Sequence, residues 1–234
     1  MHKSDGRLIG AGWSALFSPL RMLAISACFY FIAAGGLGPP RGWLYYLLVL
    51  VLSLGAGFFL FYRSPELLNV RGRMGEDTDS RDKVLLLFLF GTNLVLMPAA
   101  AGLDNGRLNL TPLPAGCIYA GAALQFIGSG IVLWAMLENP FFEGTMRLQK
   151  ERGQHVISQG PYRYLRHPGY LGMAINTLPL PLIAGSRLAL LPAILAIAVI
   201  VIRTRLEDKL LLELLPGYRD YARKTRHRLL PPLW

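Results

Sequence analysis

Between Gly160 and Gly172 the chain reads GPYRYLRHPGYLG, which gathers Tyr162, Tyr164, Tyr170, Arg163, Arg166 and His167 at the mouth of an apolar run. Taken alone, such a phrase could be an anchoring belt, with Tyr and Arg at headgroup level. A second cluster, Arg203, Arg205, Glu207, Asp208 and Lys209, follows the next apolar run. Arg203 and Glu207 are four apart, share a helix face and can pair, although Arg before Glu is the less favourable order. A carboxylate and a guanidinium near aromatic rings can instead hold the amino and carboxylate ends of an amino-acid-like ligand, with a tyrosine beside a sulfonium or other cation. Stated as chemistry, that is a pocket for S-adenosylmethionine.

The elements that must position these residues follow from composition. Of 234 residues, 53% are hydrophobic and 16% charged, too little polar surface for a soluble domain. The apolar residues fall in six runs, at 22–38, 43–62, 84–103, 115–137, 170–186 and 188–203. The second, third and fourth match a hydrocarbon core ~30 Å thick. The fifth is short and interrupted by Pro179 and Pro181. A bent helix is expected there, turning at Gly185 and Ser186 into a tight hairpin with the sixth. The expected fold is all-α: a polytopic membrane helix bundle of about six spans, the last two a hairpin, with a cytoplasmic C-terminal cofactor-binding region. The hairpin sets the two polar clusters side by side.

The net charge of +10 raises the question of a nucleic-acid partner. Under six spans, Arg41, Arg107 and Arg187 fall on one side. Every other Lys and Arg, from Lys3, Arg7 and Arg21 through Arg73 to Arg228, falls on the opposite side. That asymmetry is what the positive-inside rule requires and puts both termini in the cytoplasm. The charge therefore reads as topology and attraction to anionic headgroups, with no nucleic acid expected. Cys28 and Cys117 lie inside apolar runs without a CxxC or Cys/His cluster, so neither a disulfide framework nor a metal is indicated. No cleavable signal peptide is evident, because about 20 residues precede the first apolar run and no clear cleavage site follows it.

The chain divides by texture into N-terminal membrane helices, 1–137, and a chemistry-bearing region, 138–234. Spans one to four carry small residues for close packing and little chemistry. Residues 139–168 are too polar to span. Phe141, Phe142, Met146 and Leu148 are expected to touch the membrane, followed by an extended piece at His155, Val156 and Ile157 and a turn at Gly160 and Pro161. Pro168 suits the first turn of the fifth helix.

From about Asn139 to Trp234 the chain resembles the isoprenylcysteine carboxyl methyltransferases and the related phospholipid methyltransferases. The resemblance is carried by GQHVISQGPYRYLRHPGYLG and IRTRLEDKLLLELLPGYRDYARKTRHRLLP, in that order. It implies S-adenosylmethionine held between the two blocks in a tunnel open to the cytosol, with a lipophilic substrate entering from the membrane. By motif position, Gln154, His155, Val156 and Ile157 would border the adenosine, and Tyr162, Arg166, His167 and Tyr170 would line the cofactor pocket. Glu207 would hold the cofactor amino group, and Arg203 would orient an acceptor carboxylate. The family shows two glutamates where this chain has Glu207 and Asp208, so the second position carries a shorter side chain. Tyr218 and Tyr221 read as anchors of an amphipathic C-terminal helix, and His227 as solvent-exposed.

The implied activity is S-adenosylmethionine-dependent methyl transfer to a lipophilic or small membrane-accessible acceptor: a carboxylate, a phospholipid amine or a thiol. A bacterial inner-membrane location is expected, with membrane lipids as neighbours. One rival is an NADPH-dependent membrane reductase of the sterol-reductase type, for which a further phosphate-binding cluster is missing. The other is a small non-enzymatic transporter, against which stands the confinement of the polar clusters to one side.

Overall fold

The structure, a computed structural model, describes residues 8–72, 80–108, 110 and 112–230. Lys3, Arg7 and Arg73, counted above for topology, lie outside the described residues. Among the described residues there are helices and no strand. Four of the helices among the described residues are long and apolar enough to cross a membrane: α1 (Gly10–Ala34), α2 (Pro40–Arg63), α4 (Ser80–Leu108) and α5 (Gly116–Glu138). At 1.5 Å per residue each is longer than a hydrocarbon core of about 30 Å. Their outward side chains have no protein to cover them; Phe58 is 62% and Leu87 72% exposed, as a lipid-facing surface requires. The short α3 (Pro65–Arg71) lies against α1.

Local chemistry explains where these helices stop and bend. α1 ends at Gly35, whose φ of +79° is left-handed and lets the Gly35 and Gly36 N–H groups bond back to Ile32 and Phe31. α1 begins well before the expected start at 22, because Pro19 does not stop it. Arg21 folds back to donate to the Ser14 carbonyl at 2.9 Å, serving a carbonyl in the turn that the proline disturbs. In α4, Pro98 likewise lacks the N–H its helix needs, and the wider π-helical turn at Gly91–Leu96 precedes it.

The fifth run differs from the bent helix expected. It forms two separate short helices, α6 (Pro168–Ile175) and α7 (Pro179–Ala184). Pro179 brings no N–H to the interrupted ladder, Leu178 before it stays in right-handed helical geometry as the cap of α7, and Thr177 turns its hydroxyl onto the Ala174 carbonyl at 2.7 Å. Together α6 and α7 carry the chain from the Glu138 end of the bundle to the other end, where Leu113 N–H bonds the Gly185 carbonyl at 2.9 Å. Gly185, at φ +77°, makes the turn, and α8 (Leu190–Leu214) returns against α6. A final helix, α9 (Tyr218–Lys224), packs on the end of α8.

Two buried acids on α4 fasten this returning hairpin. At one end Asp104 accepts from the Ser186 hydroxyl at 2.6 Å. At the other Asp82 accepts from Arg203 Nε at 2.9 Å. Asp82, just before the third apolar run, is fully buried and holds the base of α8.

Candidate active site

The polar connection 139–167, the base of α8 and α9 with its tail meet at one end of the bundle. Their centre is Asp208, 0% exposed. Arg166 grips it with two parallel bonds, Nε to Oδ1 at 2.8 Å and Nη2 to Oδ2 at 2.9 Å. His167 Nε2 lies 3.1 Å from Oδ1, the Tyr218 hydroxyl donates to Oδ1 at 3.0 Å, and Arg228 Nε donates to Oδ2 at 2.7 Å. Burial alone would raise the carboxyl's pKa, but the bonds from His167, Arg166 and Arg228 outweigh it and hold the group well below the usual carboxylate range. The remaining Arg166 nitrogen donates to the carbonyls of Thr225 and Arg226 at 3.1 and 3.0 Å. The tail lies along the motif, with the Arg166 and His167 N–H groups bonded to the His227 and Arg228 carbonyls.

This arrangement decides between the two acids. Consecutive helix residues point about 100° apart, so Asp208 faces the knot of cations while Glu207 faces a cavity of about 740 Å³. Glu207 is half-buried and has no ion pair among the described residues. Around it stand Tyr162, Tyr170 and Tyr218, all on the same cavity wall. The Tyr162 hydroxyl is held far above its ordinary pKa, first by burial and further by the Glu207 charge, against the bond it receives from Asn139. Tyr218 is raised likewise, first by burial and then by Asp208. Tyr221, pushed up to about 12 by burial, donates to the Tyr162 carbonyl at 2.6 Å. Tyr218 and Tyr221, both buried, thus fasten α9 from within, one to Asp208 and the other to the Tyr162 and Leu165 carbonyls. His227 is half-buried rather than exposed.

Arg203 does not pair with Glu207. It is 2% exposed, and beyond its bond to Asp82 it donates from Nη2 to the Gly144 carbonyl at 2.9 Å, with its guanidinium 5.5 Å from the Tyr170 ring centre. Asp82 in turn accepts from the Met146 N–H at 2.7 Å. The positive charge that was expected to orient an acceptor carboxylate is balanced inside the protein.

The 154–157 stretch borders the same cavity. Gln154 Oε1 accepts from the Gln149 N–H at 2.7 Å, and buried Gln149 holds the Phe141 carbonyl at 2.8 Å. The His155 ring meets Phe141 edge-on at 5.2 Å, and Val156 packs with Tyr218 and Tyr221. Phe141 and Met146, expected at the membrane surface, are instead buried. Gly160 has φ +53°, and a side chain there would collide with Glu138 of α5, so the turn is pressed against the helix end. All ten residues singled out by motif position therefore line one cavity. Asp82, Asn139 and Gln149 escaped the sequence reading. Asp82 carried a signal, an acid at the mouth of an apolar run, but its partner lies far along the chain.

The cavity is polar around Glu207 and apolar farther in, between Leu60, Leu89, Val132 and Met136 of the long helices. Such a chamber can hold an organic cation against a carboxylate and tyrosines while an apolar chain occupies the rest. No curated protein matches the chain. Residues 117–216, from α5 to the turn before α9, match the model of the phospholipid methyltransferase family, in agreement with the resemblance to membrane methyltransferases carried by the two sequence blocks.

Proposed function

We propose that this protein transfers a methyl group from S-adenosylmethionine to a lipid-like acceptor held in the membrane. The observation that carries the reading is Glu207: a half-buried carboxylate without an ion pair among the described residues, on the wall of a cavity that runs on between apolar helices. A cationic amino-acid ligand fits it. The ammonium would lie on Glu207, the sulfonium beside tyrosine, and the adenosine along Gln154, His155, Val156 and Ile157, with Tyr162, His167 and Tyr170 as walls. Arg166 would act through Asp208, holding the wall in place, rather than by gripping the ligand.

When bound, S-adenosylmethionine supplies a methyl on positively charged sulfur, open to in-line displacement. The residues of the chain contribute position and dryness. Fixing donor and acceptor in a near-attack geometry is worth up to about 7–11 kcal/mol. With Arg203 balanced by Asp82, this reading favours an amine or thiol over a carboxylate as acceptor. An amine must lose a proton, and Asp208, held ionised by its cations, is a poor acceptor of it; Glu207 and His167 remain. We further infer six crossings, the fifth broken into α6 and α7, with both termini and the polar end of the cavity cytoplasmic. Arg41, Arg107 and the turn before Arg187 gather at the opposite end, which supports that orientation.

The test is incubation of the purified protein with methyl-labelled cofactor and membrane lipid extract. Label in an organic-soluble lipid is expected. Absence of label, together with NADPH-dependent reduction of a lipid in the same extract, would establish the reductase instead.

A further inference from the structure

Five arginines among the described residues border the cavity. Arg147, Arg166 and Arg203 are each answered by a carboxylate, and Arg71 is half-buried against Phe142, whose carbonyl it holds at 3.2 Å. Arg21 differs from them. It is exposed, its Nη2 donates to the Ser14 carbonyl at 2.9 Å and to Ser14 Oγ at 3.2 Å, and among the described residues no acid meets it and its Nε and Nη1 are unbonded. The residue is rooted about 16 Å from the Gly10 end of α1, at a depth where a bare charge is costly. Its side chain runs back towards that end, and Ser14, which holds the guanidinium, is only about 6 Å from it. Trp13, exposed and set against Phe61 of α2, marks the headgroup level there. The charged head is thus returned to headgroup level while its stem stays in the apolar wall. At 100° per residue, exposed Trp13 and Phe17 face outward, Ala15, Pro19 and Met22 face the cavity, and Ser14, Ser18 and Arg21 fall between the two faces. The opposite edge is formed by Leu86, Leu89 and Phe90, in a part of α4 that packs on α8 rather than on α1.

We propose that the cavity opens sideways to the membrane between α1 and α4, and that Arg21, with Ser14 and Ser18, holds at this rim the oxyanion of an amphiphile whose chain lies in the cavity. A guanidinium with free nitrogens forks onto two oxygens of a carboxylate or phosphate, and the serine hydroxyls add donors on the same helix face. A neutral alcohol leaves the positive charge unanswered at the edge of the hydrocarbon. The oxyanion is bound and not methylated, since Glu207 and the cofactor residues stand on other walls of the cavity. The subsite lies on α1, outside the residues 117–216 that match the family. It deepens the reading of the cavity as the site of a lipid-like acceptor and rests on it, but its test needs no methyl transfer.

Full-length protein in a neutral detergent is titrated with hexadecanol, hexadecyl phosphate and hexadecanoate, the bound copies being counted by native mass spectrometry. A single copy of one or both oxyanions is expected to bind at least tenfold tighter than hexadecanol, and the tighter of the two identifies the group. Arg21→Gln is expected to erase that preference and to keep hexadecanol binding; Arg21→Lys, which restores the charge without the fork, is expected to return part of it. Equal affinity for all three in the wild type, as an arginine that only anchors α1 or serves the Ser14 carbonyl would give, overturns the proposal without recourse to any variant. So does a preference that survives Arg21→Gln, as binding to other basic residues would give. Binding of S-adenosylmethionine measured on the same preparations reports on the methyltransferase reading separately, so failure of one is distinguishable from failure of the other.

Discussion

Glu207 and Asp208 are neighbours with opposite duties, and substitutions should separate them. Glu207→Gln removes a charge-assisted contact worth about 1.5–3 kcal/mol. Affinity for S-adenosylmethionine should fall at least tenfold in titration while the melting temperature stays. Asp208→Ala instead strands Arg166 and Arg228 in a buried knot, where loss of one partner costs about 3–5 kcal/mol. The melting temperature should fall steeply, and cofactor binding with it. Because the folded-state pKa of Asp208 lies below its unfolded value, its stabilisation is present above about pH 4 and is lost as the pH falls below that. Acid unfolding of Asp208→Asn, followed by circular dichroism, should show a shallower loss over that interval than the wild type. The sequence made both acids visible, together with the tyrosines and Arg166. Which acid faced the cavity was hidden, because a step of one residue along α8 reverses the surroundings and nothing in the local pattern says where Arg228 will come to lie.

The helices reveal how such a site is held. α8 is fixed to α4 by Arg203 and Asp82, both almost fully buried. Arg203→Met or Asp82→Leu alone leaves an unpaired charge in the interior and should destabilise by several kcal/mol. The double variant should recover much of that loss in a thermal-melting cycle, because two apolar residues can replace a buried pair. Long apolar runs made α2, α4 and α5 readable to within a few residues. The fifth run was misjudged because proline in a membrane helix can bend it or divide it. Here Thr177 and Leu178 bond to Ala174 and Ile175, closing α6 before Pro179 opens α7. The Asp82–Arg203 contact was illegible for another reason: it joins parts of the chain 121 residues apart, and Arg203 has a nearer acid, Glu207, one helical turn away.

Taken whole, the molecule is a bundle whose N-terminal helices wall the inner end of a cavity that the C-terminal third closes. The tail matters to that closure, since carbonyls of Thr225, Arg226, His227 and Arg228 hold Arg166 and His167. Truncation after Lys224 should therefore abolish cofactor binding, although it removes none of the residues placed along the ligand. The charge asymmetry visible in the sequence predicts that tags on both termini are reached by protease only from the cytoplasmic face of sealed vesicles. The most direct measurement is a calorimetric titration of the purified full-length protein with S-adenosylmethionine, wild type beside Glu207→Gln. Saturable binding to the wild type, weakened at least tenfold in the variant at unchanged melting temperature, is the predicted result. Equal affinity in the two proteins, or a wild type that binds NADPH and ignores S-adenosylmethionine, would contradict it.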